Sequence, residues 1–244
     1  PRGMKGAFIT IEGVEGCGKT TQANRLKARL EIQGYRVVLT REPGGTALGS
    51  AIREVLLDPR SEAMTPLTEL LLFAAARAQH VDERFRPALE SGAVVICDRF
   101  LDSTTAYQGA GRALPMEVIQ QLHEVVVRDV WPDLTIVIDV PVEVGLDRGR
   151  QLRERPIQGD LIKGFEESPP PIALRKQDRI EREPREFHER VRTEFLRLGE
   201  REPERVKVVN GLQCEEAVAE EIFSLVDGLL KRLGLGPERT SGAR

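Results

Sequence analysis

Cysteine is scarce. Cys17, Cys97 and Cys214 stand far apart, share no metal-ligand spacing and, being odd in number, make no disulfide framework. A zinc module and a disulfide-stapled secreted scaffold are not expected, and a reducing cytoplasm is the simple inference. Long apolar runs are missing too. The stretch Leu70–Ala76 is cut off by Arg77, well short of the ~18–20 residues of a membrane span. No charged-then-apolar leader pattern opens the chain, where Met4 reads as the natural start. Neither sign of charge dominates: 36 basic side chains face 39 acidic ones, whereas a general nucleic-acid binder would be markedly basic. There are no internal repeats.

What is present begins at Ala7. The apolar run Ala7-Phe-Ile-Thr-Ile11 leads into Gly13-Val-Glu-Gly-Cys-Gly-Lys19-Thr20, a G-x-x-x-x-G-K-T loop between a predicted strand and a predicted helix. Gly13, Gly16 and Gly18 let the backbone curl, so that successive N–H groups from Gly13 through Val14, Cys17 and Thr21 face phosphate oxygens. The helix that opens at Lys19 adds the positive end of its dipole. Lys19 is expected at the β- and γ-phosphates, and the Thr20 hydroxyl on Mg²⁺. A nucleoside triphosphate is therefore bound here. Glu15 is the odd member, a carboxylate among groups arranged to attract anions. It either faces solvent or receives a hydroxyl or the metal at the boundary of a second site.

The rest alternates strands and helices. Strands are expected at Ala7–Glu12, Arg36–Thr40, Val94–Cys97, Leu134–Val140 and Val206–Val209. Helices are expected at Lys19–Gln33 (apolar at Ala23, Leu26, Leu30 and Ile32), Ala47–Leu57, Pro66 to Glu90, Pro115 to Arg128, Pro141–Arg150, Asp178–Glu202 and Cys214–Leu233. Gly109–Arg112 reads as a turn, Gln151–Gln177 as a mobile loop and Gly234–Arg244 as a disordered tail. This order implies an α/β fold, a parallel sheet covered on both faces with ligands at the carboxyl ends of its strands.

A P-loop alone serves many chemistries. The Asn-Lys-x-Asp and Asp-x-x-Gly elements of a GTPase are absent, as is the Asp-Glu pair of a motor; the strands end instead in Asp98-Arg99 and Asp139-Val140. An arginine beside the strand-end aspartate points to a second anion, so the acceptor is itself phosphorylated. Arg41, Arg53, Arg77 and Arg99 fall at or near element ends that converge on one sheet edge, and the guanidinium fork suits phosphate oxygens. Arg77 sits in an otherwise apolar stretch and needs an anionic partner. A phosphate acceptor is already ionised near neutral pH, so positioning and charge cancellation do the work. No catalytic histidine is needed, and His80, His123 and His188 are expected at the surface.

Several blocks together resemble thymidylate kinases: Phe8–Gln22 with Glu15 in the loop, Thr40-Arg-Glu-Pro-Gly-Gly-Thr46, Phe73-Ala-Ala-Ala-Arg77, Asp98-Arg99-Phe100, Ala106-Tyr-Gln-Gly109 and Asp178-Arg-Ile-Glu181. The resemblance runs in order from about Phe8 to Gly211. It implies the P-loop nucleoside-monophosphate kinase fold with a five-stranded parallel sheet, and a homodimeric, Mg²⁺-dependent enzyme that converts dTMP and ATP to dTDP and ADP. A kinase for another nucleoside monophosphate, or an impaired nucleotide-binding regulatory module, is the alternative. The resemblance implies Glu15 near the dTMP 3′-hydroxyl and Phe73 stacked on thymine. Arg77 would lie on the thymine carbonyl edge, Arg53 and Arg99 on the dTMP phosphate. Asp98 would act through Mg²⁺, and Thr104, Thr105, Tyr107 and Gln108 would line the pocket.

Relatives with Glu-Gly in the P-loop, as at Glu15-Gly16, take their catalytic arginine from the lid. Here the lid, about 148–177, is lengthened by roughly twenty residues relative to the family pattern. Arg153 is the favoured candidate, with Arg148, Arg150 and Arg155 next and Arg175 open. The reading is one kinase domain over 4–234. Cys17 carries a separate expectation, a thiol activated at the helix N-terminus beside Lys19, against the simpler one of a small residue that fits.

Overall fold

The computed structural model describes residues 5–154 and 178–237, with Arg153 and Glu154 as backbone only. Five strands form one parallel sheet: β1 (Ala7–Glu12), β2 (Val37–Arg41), β3 (Val94–Asp98), β4 (Leu134–Asp139) and β5 (Val206–Asn210). Their order is β2-β3-β1-β4-β5, every neighbouring pair parallel. β1 lies in the middle, so the chain reverses direction across the sheet beside it, where ligands bind in open α/β sheets. The register pairs Asp98 with both Ile11 and Arg41, Glu12 with Val137, and Asp139 with Asn210. Five strand ends and their polar residues thus meet at one edge.

β-strand alternation divides the core. Ala7, Ile9 and Ile11 join the larger cluster with Leu26, Leu30, Ile136, Ile138 and Phe195. Phe8 turns to the other face with Phe85, Val95, Cys97, Phe100 and Val127. There Phe8, Phe85 and Phe100 pack as a trio with centroids 4.8–5.2 Å apart. Helices α1 (Lys19–Ile32), α8 (Arg185–Arg201) and α9 (Glu215–Arg232) are among those bearing on the first cluster. Ile32, counted above among the apolar positions of α1, is 87% exposed. It lies off the Ala23, Leu26, Leu30 stripe, which a 3.6-residue period continues elsewhere.

Several element boundaries differ from the sequence reading. The stretch from Pro66 to Glu90 divides into α3 (Pro66–His80), a π-helical segment (Val81–Phe85) and α4 (Arg86–Glu90). Pro87 has no N–H to donate and crowds the preceding turn, which widens before it. The expected turn at Gly109–Arg112 is helical to Gly111: α5 (Leu101–Thr104) passes into a π-helical segment, Thr105–Gly111. Asp178 does not open a helix. Its carboxylate accepts the N–H groups of Ile180 and Glu181, and α8 begins only after Pro184. Helix α7 runs Val142–Glu154, four residues into the expected loop. Leu235 belongs to the fold rather than a tail, packed on the core with its carbonyl 3.4 Å from the Tyr35 hydroxyl. Two further helices, α2 (Ala47–Leu57) and α6 (Met116–Val127), complete the layer beside α3.

Candidate active site

The loop between β1 and α1 takes its shape from three glycines in left-handed conformations, Gly13, Gly16 and Gly18 (φ 134°, 68° and 102°). Gly18 caps α1 with no side chain over its end, so the first N–H groups of the helix face the loop. Lys19 is buried and its ammonium donates to the carbonyls of Val14 (2.8 Å) and Gly13 (3.1 Å). Gly16 has a second reason to be glycine. A Cβ there would lie 2.0 Å from the carbonyl oxygen of Gly145, and a Cβ on Gly145 would lie 2.3 Å from that of Glu15. Helix α7 thus packs on the loop backbone to backbone, and no arginine fits at position 16. Thr20 donates its hydroxyl to Asp98 at the end of β3 (2.7 Å). Two hard oxygen donors converge there.

Glu15 does not face solvent. It receives Arg99 Nη2 at 2.8 Å and the Tyr107 hydroxyl at 2.8 Å from both of its oxygens, and His188 Nδ1 lies 3.5 Å away. Burial alone would raise its proton affinity, but Arg99, His188 and Lys19 together hold it well below the ordinary carboxylate range, so it is ionised. Arg99 sits in a left-handed conformation, φ 70°, a strain of about 1 kcal/mol or more for a residue with a Cβ. That turn aims its guanidinium back at the loop, where it also donates to Gly13 O (3.0 Å) and Ser103 Oγ (3.2 Å). Burial works against its charge, but the nearby carboxylates of Glu15 and Asp98 outweigh it and keep the guanidinium protonated.

A second cationic group lies beside this one. Arg53, from α2, donates to Pro43 O at 2.8 Å. Burial and the like charge of Arg41 pull it down to about 10, Arg99 acting in the same sense and Asp178 and Asp98 opposing. Arginines that repel one another at the end of a sheet are arranged for an anion.

Arg77 is almost fully buried, and its anion is a carboxylate of the protein rather than a phosphate. Nε reaches Glu42 at 2.7 Å, Nη1 the Thr104 hydroxyl at 3.0 Å and Nη2 Phe100 O at 3.0 Å. Phe73, one helical turn back on α3, is half-buried against the first core cluster. Gln108 donates to Glu69 (2.8 Å), which Arg112 and Arg179 also bind. Thr105 pairs with His123 of α6 at 3.2 Å rather than with the Glu15 group.

All three histidines are buried, against expectation. His80 bonds Thr40 (2.8 Å) and lies 3.2 Å from Glu42. Burial and the positive charge of Arg77 pull His123 down to about 3, so it is neutral. Each sits on the inward face of a helix whose outer face carries the charges that suggested a surface. Sequence reading also passed over Glu12, Glu42, Glu69 and Ser103, and gave His188 no part in the site. Glu42 stands within the Arg-Glu-Pro-Gly-Gly block and Ser103 within the run after Asp98-Arg99, and these blocks were the available signal.

At the lid, Arg148 Nη1 donates to Gly211 O (3.2 Å) and Arg150 pairs with Asp147 (2.8 Å). Arg155, Arg175 and the Arg153 side chain lie outside the described residues. Asp139, the other strand-end aspartate, is held by Arg192 at 2.7 and 2.9 Å. Among the described residues no three His, Cys, Asp or Glu side chains group to hold a metal, and no helix is long and apolar enough to cross a membrane.

A P-loop at the middle strand of a five-stranded parallel sheet, with an arginine-lined site beside it, defines a phosphotransferase of the P-loop nucleoside-monophosphate kinase fold. Residues 11–222 match the family model described as thymidylate kinase. The chain is 47% identical over 225 residues to the thymidylate kinase of Thermomicrobium roseum, covering 92% of this chain and 96% of that one. It is also 47% identical over 229 residues to that of Geobacter sulfurreducens, covering 93% and 98%. The crystal structure of thymidylate kinase from Ehrlichia chaffeensis superposes with a TM-score of 0.67 at 34% identity, covering 91% of this chain and 98% of the other. The chain belongs to the thymidylate kinase family.

Proposed function

We propose that the protein transfers the γ-phosphoryl group of ATP to dTMP, giving ADP and dTDP, in the cytoplasm and as a homodimer. The observation that carries this reading is the joining of two anion sites through one carboxylate. The loop and Lys19 face the donor, Arg53 and Arg99 face the acceptor, and Glu15 stands between them, bonded to Arg99. A carboxylate at that boundary repels a stray phosphate and accepts a hydroxyl, which suits the 3′-hydroxyl of dTMP. Tyr107, bonded to the same carboxylate, walls the sugar near its 2′ position. Phe73 stacks on thymine, and Arg77 turns its remaining N–H groups to the base edge. Thr104, Thr105 and Gln108 support the pocket through the buried bonds described above.

The Thr20 hydroxyl and Asp98 carboxylate are hard oxygen donors 2.7 Å apart, a set that fits Mg²⁺ completed by water and substrate phosphates. Bound there, the ion would offset negative charge on the donor phosphates. The acceptor phosphate is ionised, so no general base is required, and the protein's contribution is to align the two phosphates and hold their charge. Lid arginine Arg153, with Arg150 next in order and the lid spanning about 148–177, completes the charge around the transferring group. α2, α3 and α6 pack side by side and expose Leu48, Val55, Leu67, Leu71, Val118 and Val125. Such a patch marks an association surface and supports the dimer.

Purified protein incubated with ATP, Mg²⁺ and dTMP is expected to form ADP and dTDP, and chelation with EDTA to stop it. Turnover that persists in EDTA would overturn the assignment of Thr20 and Asp98 to the metal. Absence of dTDP with Mg²⁺ present would overturn the function.

A further inference from the structure

Glu12 is the last residue of β1, directly before the phosphate loop, and it is wholly buried. A buried carboxylate costs several kcal/mol unless its lone pairs are used. Its Cα neighbour in the register is Val137 of β4, but its carboxylate turns to the other side, to the turn that leaves β3. Oε1 accepts the N–H of Phe100 at 2.7 Å, and Oε2 accepts the hydroxyl of Ser103 at 2.6 Å. Phe100 stands at the N-cap position of α5 and supplies no side-chain cap of its own. Glu12, from another element, accepts the N–H of that cap residue and the hydroxyl of Ser103 in the helix's only turn.

These two donors flank Arg99. Arg99 takes a left-handed backbone that a residue with a Cβ keeps only when its neighbours are held. Its own N–H bonds Ile11 O at 3.0 Å, so β1 grips the turn before and after the strained residue. Ser103 extends the grip to the side chain. Its hydroxyl proton goes to Glu12, which leaves an oxygen lone pair free to accept Arg99 Nη1 at 3.2 Å. Were position 12 a donor instead, that oxygen would be contested.

We propose that Glu12 is a positioning residue for Arg99, acting through Phe100 N–H and Ser103, which sets the acceptor-side arginine against the base of the donor loop. The inference rests on the reading that Arg99 holds the acceptor phosphate. Glu12 touches neither substrate. One strand end thus starts the donor loop with its backbone and aligns the acceptor site with its side chain.

The test is steady-state kinetics of E12Q, S103A, the double variant and R99A, with KM measured separately for dTMP and ATP. S103A keeps the buried carboxylate and removes only the link to Arg99, so it remains informative should E12Q fail to fold. E12Q and S103A are expected to raise KM for dTMP about tenfold or more while KM for ATP moves less than about twofold, and the double variant to be no worse than E12Q. Equal shifts in both KM values, an unchanged KM for dTMP in S103A, or multiplied effects in the double variant would overturn the proposal. R99A separates the two readings: if it leaves KM for dTMP unchanged, the assignment of Arg99 to the acceptor fails. If R99A raises that KM and S103A does not, only the role of Glu12 falls.

Discussion

Arg53 is the residue we propose for the acceptor phosphate. It is pulled down to about 10 by burial and by Arg41, and its hydrogen bond to Pro43 O uses only one of five donors. A bound phosphate would relieve both costs. Arg53→Ala is expected to raise KM for dTMP about 10- to 100-fold, the range of a lost charge-assisted hydrogen bond, with KM for ATP little changed; titration of both substrates checks this. Glu12 gives a second residue-scale prediction. Burial, then the nearby charge of Asp102, push its carboxyl up to about 7 from an ordinary 4.5, despite the bonds from Ser103 and Phe100. Between those values the folded chain holds a proton that the unfolded chain has released, so stability falls as pH rises across the window. The loss approaches about 3 kcal/mol at ~1.4 kcal/mol per decade of proton affinity. Urea unfolding at about pH 5 and pH 8 should show a stability difference that shrinks in E12Q; an identical difference in both proteins would contradict the assignment.

At the scale of elements, the contact between the phosphate loop and α7 decides what the loop is able to contain. Gly16 and Gly145 touch backbone to backbone, so G145A must push α7 or the loop aside. A Cβ 2.3 Å from a carbonyl oxygen cannot be absorbed by a side-chain rotation. A fall in kcat of at least about tenfold is expected, or about 1–3 kcal/mol of lost stability, read by steady-state kinetics and thermal unfolding. With no room for a cation at 16, we propose that the charge comes from the lid. Single alanine replacements at Arg148, Arg150, Arg153 and Arg175 should include one that lowers kcat at least about tenfold, or roughly 1.4 kcal/mol of barrier.

Legibility follows the range of the interactions. The phosphate loop, the five strands and most helices were readable because glycine spacing, apolar runs and caps act within a few residues. The burial of His80, His123 and His188 was not, because it depends on partners supplied by distant parts of the chain; the Asp178 turn and the π-helical segments were missed although their causes are local, because a helical pattern runs on across them. Glu15 lay between these cases. Its oddness was visible in the loop, but its ionised state rests first on Arg99 and His188, 84 and 173 positions away along the chain as the residue numbers give, with Lys19 the local contributor.

For the whole molecule, the sheet order places β1 between the two halves and brings donor and acceptor sites to a common edge. The outer face made by α2, α3 and α6 shares two of its helices with that edge, through Arg53 on α2 and Phe73 and Arg77 on α3. Introducing charge there, as in L71E with V125E, is expected to halve the apparent mass in size-exclusion chromatography. An unchanged mass would overturn the proposed dimer contact on this face.

The choice of acceptor tests the proposed function most directly. Steady-state turnover with ATP and Mg²⁺ should be compared for dTMP, AMP, GMP and CMP at equal concentration. ADP release with dTMP is expected far above that with the other three; turnover of AMP, GMP or CMP with dTMP inert would contradict the assignment of the acceptor.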